Sequence, residues 1–264
     1  NNPAGSQDPN VSGIIFNASG SAPYAIVNRA QNPAAQITVN VGGLDMLEGV
    51  GILVNDNVVG DTTFRVNPSS ASPETNDFRI ALGTDQIWRN NSPTYALDVG
   101  IKLTGDAALT TEGPGLIILG GAGSFTGGLT VASGTLRATH PEALSTGTVT
   151  VAADSTLDVR AAITHDLEGA GLVTIAPGAS LAAATMGANA LVLTGDAGNL
   201  AGFTNTATGD LGLASMTMGG NVTVGLTAGS AIAATGVVSF TNADNVLTLS
   251  GVANPGSIYP LLTG

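Results

Sequence analysis

The densest group of side chains capable of chemistry in this 264-residue sequence is the run Thr164-His165-Asp166-Leu167-Glu168. On an extended strand Asp166 and Glu168 share a face, and two carboxylates beside a histidine are the equipment of acid–base work on a glycan. The plainer reading is a solvated turn between two short strands, and it is preferred. Asp154 and Asp158 lie four apart, again a same-face spacing on a strand, yet "AADSTLDV" reads more simply as an Asp turn followed by a strand.

The segment "NDNVVGD", Asn55 to Asp61, has the oxygen ligands that Ca²⁺ needs, but its spacing misses the twelve-residue EF-hand loop and the glycine-rich nonapeptide. It is read as a coil turn. A lyase-type β-helix enzyme would set clustered carboxylates for Ca²⁺ beside a basic residue, and the single lysine, Lys102, has no such neighbours in sequence. The glycines of "GGAGSFTGG" lack the following helix that a phosphate-cradling loop requires, so they are read as turn makers. Trp88 and Phe125 could stack on a sugar; isolated aromatics in a chain with 4 % aromatic residues are read instead as core plugs. Asn10, Asn17, Asn90 and Asn221 begin N-x-Ser/Thr triplets, which indicate surface loops. The sequence therefore assigns no catalytic, cofactor-binding or metal-ligating residue.

What must position these residues is a series of short strands. From Gly113 onward, runs such as "LIIL", "LTV", "TVTV", "TLDV", "LVTI" and "NVTV" alternate with turn residues, several in period two. Similar strands beginning near Gly171, Ala190, Leu211 and Ala231 give a degenerate repeat of about 20 residues, the lower end of the solenoid range. Glycine and β-branched residues interrupt every window long enough for a helix. One single-turn helix is expected, over His140–Ser145 with Pro141 in its first turn.

The expected fold is all-β: a right-handed parallel β-helix, with an antiparallel β-sandwich as the alternative. Residues 1–12 read as a flexible polar lead. Residues 13–91 read as an irregular β region, either loop-decorated rungs or a small β domain, with Asn67–Asp77 an exposed excursion; residues 92–264 read as regular solenoid.

Composition narrows the partners. Charged residues are 10 % of the chain, against about a quarter in ordinary domains. The net charge is -12, and the seven cations, Lys102 and arginines 29, 65, 79, 89, 137 and 160, are scattered. No basic footprint for nucleic acid or anionic lipid is present. No cysteine occurs, which removes disulfides and thiolate chemistry. No apolar run reaches the roughly 18 residues of a membrane-spanning helix.

The block "GPGLIILGGAGSFTGGLTVASGTLRA", Gly113 to Ala138, resembles the autotransporter-associated β-strand repeat. The matching parts are a Gly-rich strand, Phe125 before Thr126-Gly127-Gly128, the strand "LTV", and Gly134-Thr135-Leu136. The resemblance runs over roughly Leu82 to Val159, with Trp88 at its usual aromatic position. It implies a bacterial surface or secreted protein whose passenger is a parallel β-helix. The family's C-terminal translocator barrel does not follow, so the chain is expected to be a fragment, a processed passenger or a secreted subunit.

The expected function is a non-enzymatic structural protein of the bacterial cell surface or extracellular matrix, self-associating head to tail through its polar lead and the tail "SIYPLLTG". An adhesin or glycan-binding module, with specificity in the Asn67–Asp77 loop, is the alternative, and a polysaccharide-active enzyme is a third reading. No cofactor is expected.

Overall fold

The structure, a computed structural model, describes residues 10–17, 24–28, 36–39, 49–66, 78–226, 230–241, 246–251 and 262–263. Strands arise where the sequence alternates. In Val149-Thr150-Val151 both valines are buried and the threonine between them is half-buried, and Leu129-Thr130-Val131 repeats the pattern. A pleated strand sends alternate side chains to opposite faces, so a period-two run can line a narrow interior while staying wettable outside. Among the described residues every element is a strand, and the fold is a parallel β-solenoid. The strand registers are parallel, which sets aside the antiparallel sandwich.

The chain divides into two compact units, Asn1–Thr130 with Glu142–Gly147, and Val131–Pro141 with Thr148–Gly264. Among the described residues of the first unit, twelve strands form four successive rungs. The first rung is β1 (Asn10–Val11), β2 (Ile14–Phe16) and β3 (Ala25–Asn28), and the second is β4 (Gln36–Val39), β5 (Val50–Val54) and β6 (Thr62–Val66). The third is β7 (Arg79–Leu82), β8 (Gln86–Asn90) and β9 (Leu97–Val99), and the fourth is β10 (Lys102–Gly105), β11 (Leu109–Glu112) and β12 (Leu116–Leu119). Each rung gives one strand to each of three parallel sheets, ordered β1-β4-β7-β10, β2-β5-β8-β11 and β3-β6-β9-β12.

Register explains why the first hundred residues read as irregular. Ile37 pairs with Ile80, 43 positions on, and Phe64 with Val99, 35 on; by the last rung Ile80 pairs with Leu103 and Trp88 with Thr111, both 23 on. The early rungs are thus the same coil with long insertions. Inside, Trp88, Phe64, Ile52 and Ile80 are fully buried, and the Phe16 and Phe64 rings meet edge to face at 5.8 Å. Trp88 Nε1 donates to Gln86 Oε1 at 2.9 Å, and the buried Gln86 amide donates in turn to Val39 O at 3.2 Å. The one polar atom of the plug is therefore satisfied within the core.

The His140–Ser145 segment is a correction to the sequence reading: it is a turn, not a helix. Ala143, Leu144 and Ser145 are buried. Ser145 Oγ donates to Phe125 O at 3.0 Å and accepts from Gly128 N at 3.2 Å and Gly147 N at 3.0 Å, while Glu142 O accepts from Gly123 N. Bonds to a neighbouring layer replace the i→i+4 bonds that Pro141 in the first turn had suggested.

Strand β13 (Leu129–Val131) contains the division between the units. In the second unit one sheet runs β14 (Gly134–Ala138), β16 (Ser155–Val159), β19 (Leu172–Ile175), β21 (Ala190–Thr194), β24 (Ser215–Gly219), β27 (Val238–Phe240). A second runs β17 (Ala162–Thr164), β20 (Ser180–Ala183), β22 (Ala201–Asn205), β25 (Asn221–Leu226), β28 (Val246–Gly251). The third side carries β15 (Val149–Val151) and β18 (Leu167–Gly169), then, after a rung with no strand there, β23 (Leu211–Leu213), β26 (Ile232–Ala234) and β29 (Leu262–Thr263).

The core of this unit contains an aligned column, Leu136, Leu157, Val173, Leu191 and Met216, all buried, with successive partners 21, 16, 18 and 25 residues apart. Those intervals are the phase drift of the sequence repeat: turn lengths vary while the inward positions stay in line.

Candidate functional site

Asp166 and Glu168 flank buried Leu167 and are both exposed, so they do share the outer face expected of them. His165 Nδ1 lies 2.6 Å from the Asp166 main-chain oxygen, within its own turn. Asp166 Oδ1 accepts the main-chain N–H groups of Ala184 at 2.6 Å and Thr185 at 3.1 Å, and Leu167 N donates back to Thr185 O at 3.0 Å. The carboxylate that looked catalytic holds the Thr185 peptide in the next rung, beside the stretch where the third side has no strand.

The same clasp occurs three more times. Asp61, Asp85 and Asp210 each immediately precede a strand, and their Oδ1 atoms accept the N–H of Ala96, Ala108 and Ala231 at 2.8, 2.8 and 2.9 Å. The following residue, Thr62, Gln86 or Leu211, donates its N–H to the carbonyl of that same alanine at 2.8, 3.0 and 2.9 Å. Each alanine directly precedes the paired strand of the next rung. An aspartate at a strand start thus satisfies a corner amide that the ladder itself does not reach.

Buried asparagines do the complementary work at strand ends. Asn90, the last residue of β8, donates through Nδ2 to Tyr95 O and Leu116 O, both at 2.9 Å, and accepts from Ser92 N at 3.0 Å. Asn205, the last of β22, donates to Gly209 O at 3.2 Å and Ala231 O at 3.1 Å and accepts from Ala207 N at 2.8 Å. Asn189 accepts from Gly171 N at 2.8 Å and donates to Glu168 O at 3.1 Å and Met186 O at 2.7 Å, bracing the strandless corner. Asn90 is fully buried, so its triplet does not mark a surface loop; Asn221 sits on β25 and bonds to Asp196 O at 3.0 Å.

The other candidates resolve individually. Asp154 is exposed with φ +64°, a left-handed turn position that aspartate tolerates, and it precedes the strand carrying Asp158. In Asn55–Asp61 the chain turns from β5 to β6 with Val58 N bonded to Asn55 O at 3.2 Å and Val58 buried. Trp88 and Phe125 are fully buried plugs. Lys102 lies in β10 in register with Arg79. Among the described residues no group of three or more His, Asp or Glu side chains is placed to hold a metal ion, and no helix is long and apolar enough to cross a membrane. The loop Asn67–Asp77, residues 1–9 of the lead and most of the "SIYPLLTG" tail lie outside the described residues.

Two carboxylates have shifted acidity. Burial, and secondarily the Asp61 charge, raise the pKa of Asp98, a half-buried residue of β9. Main-chain donors Gly198 and Asn199, then the Asn199 side chain, lower that of exposed Asp196.

A further cluster was hidden from the sequence reading. On the outer face of the second unit Asp158, 8 % exposed in its side chain, takes Arg137 Nε at 2.7 Å and Arg160 Nε at 2.9 Å, with Thr174 Oγ1 at 3.3 Å. Arg137 and Thr174 are its register neighbours on either side, one rung before and one after. No family model, curated protein or solved structure matches the chain.

Proposed function

We propose that this chain is a non-enzymatic structural scaffold of a bacterial cell surface or extracellular matrix, a rigid β-solenoid that extends by head-to-tail addition of rungs. The observation that carries the reading is the four-fold aspartate clasp. Asp166, from the group that looked best suited to chemistry, and likewise Asp61, Asp85 and Asp210 are each engaged with the main chain of the next rung. Their role is to keep layers in register.

Two further points support it. The resemblance of Gly113–Ala138 to the autotransporter-associated repeat implies such a setting. Strands β27, β28 and β29 are the last described strands of the three parallel sheets of the second unit, and a parallel strand edge is a template for another strand. A second copy docking there makes a heterologous contact, which propagates when it does not close. A net charge of -12 opposes side-to-side clumping of the resulting rods.

Negative-stain electron microscopy with sedimentation analysis of the purified chain over rising concentration tests the proposal. Rods lengthening in multiples of one chain are expected. A monodisperse monomer at every concentration overturns the self-assembly.

A further inference from the structure

We infer that Arg137 and Arg160, held by Asp158, form an oxyanion site on the outer face of the second unit that takes the carboxylate of an acidic saccharide. The second unit contains just these two of the seven Lys and Arg residues, although they are 23 positions apart in sequence. Both converge on one carboxylate, so the cluster carries a net charge of about +1 on an otherwise acidic molecule.

The geometry separates what is used from what is left to offer. Asp158 Oδ1 accepts from Arg160 Nε at 2.9 Å and Thr174 Oγ1 at 3.3 Å; Oδ2 accepts from Arg137 Nε at 2.7 Å and Arg160 Nε at 3.1 Å. The carboxylate is saturated. Each guanidinium reaches it through Nε, and among the described residues the Nη groups of both have no protein partner. A guanidinium is a planar fork of five donors matched to two oxygens of an anion. The two side chains are 32 % and 45 % exposed, while the aspartate that fixes them is buried. Their flexible stems are thereby anchored before any ligand arrives, which lowers the ordering cost of binding.

The surroundings favour a saccharide over a protein. Outward positions on the same strands are Thr135, Thr156, Leu172 and Thr174, mostly hydroxyls and none aromatic. Protein hot spots centre on buried aromatic or arginine anchors in pockets. Threonine hydroxyls beside a carboxylate receptor instead match the ring hydroxyls of a uronic acid. The site is complete in one chain, so its failure and the failure of self-assembly are separable.

Calorimetric titration of the full chain at low salt with a galacturonate trisaccharide tests this, with the neutral galactose trisaccharide and sodium sulfate as separate arms. Expected are saturable uronate binding that weakens as salt rises, none with the neutral sugar, and weaker binding of sulfate alone. Arg137→Gln and Arg160→Gln each reduce uronate affinity by about tenfold or more. Arg160→Lys, which keeps the charge and removes the fork, also weakens it and covers the case in which a glutamine variant misfolds. Arg89→Gln, in the other unit, leaves binding unchanged. Absence of uronate binding up to about 10 mM, equal binding of the neutral sugar, sulfate binding as tight as uronate, or affinity unaltered in the folded Arg137 and Arg160 variants each overturns the proposal.

Discussion

The Asp210 carboxylate accepts the Ala231 amide at 2.9 Å while Leu211 N, the next residue, donates to the Ala231 carbonyl at 2.9 Å. One peptide is gripped from both sides by two consecutive residues of the rung before it. Removing the side chain frees a corner N–H that no ladder strand can reach, comparable to loss of a helix N-cap. Asp210→Ala is therefore expected to cost about 0.5–2 kcal/mol, and Asp166→Ala, which releases two amides, at least as much. Glu168→Gln, two residues on and exposed, should stay within about 0.5 kcal/mol. Urea unfolding of the three variants checks the ranking; a Glu168 effect equal to that of Asp166 would contradict the clasp assignment.

Asn90 and Gly115 predict a second outcome. A Cβ built on Gly115 falls on the Asn90 side-chain amide and on Ser92 O. Gly115→Val must displace the asparagine that ties the strand end to the Leu116 carbonyl, leaving buried polar groups unpaired. A loss of about 2–4 kcal/mol is expected, read as a fall in the urea midpoint. Gly212, with open space around its position, serves as the control, and Gly212→Val should be far milder.

Asp98 gives a pH signature. Its folded-state pKa is raised above 3.8 by burial first and by Asp61 second, so between the unfolded and folded values the native state holds more protons than the unfolded chain. Stability from this group is present below the unfolded pKa and is lost as pH rises through the folded one. Asp98→Asn should raise stability at neutral pH relative to the parent, with the gain shrinking as the pH falls toward 3.8. Thermal melts of both proteins across that range check it, and a gain that grows on acidification would reverse the sign.

The strands and their stacking were readable because alternation such as Val149-Thr150-Val151 is a local signal, and the burial pattern follows it residue by residue. The aspartate clasps were half readable: an Asp before a strand marks a turn, but the amide it serves lies 21 residues on at Ala231 and 35 on at Ala96. Those intervals are set by insertions that carry no register information. The Arg137–Asp158–Arg160 cluster was invisible for the same reason, since a slip of one residue between β14 and β16 would send Asp158 to the opposite face. The turn at His140–Ser145 misled because its propensities are local, while its docking through Ser145 is not.

The narrow spread of partner intervals in the second unit, 16 to 25 residues along its Leu136–Met216 column, has a mechanical consequence. No segment of that wall waits on a distant part of the chain to find its place, so order can begin at any coil and grow outward by nearest-neighbour gain. A cut or a kink in one coil then loosens its immediate neighbours and leaves the remainder standing, as a brick wall tolerates a missing course better than an arch tolerates a missing keystone.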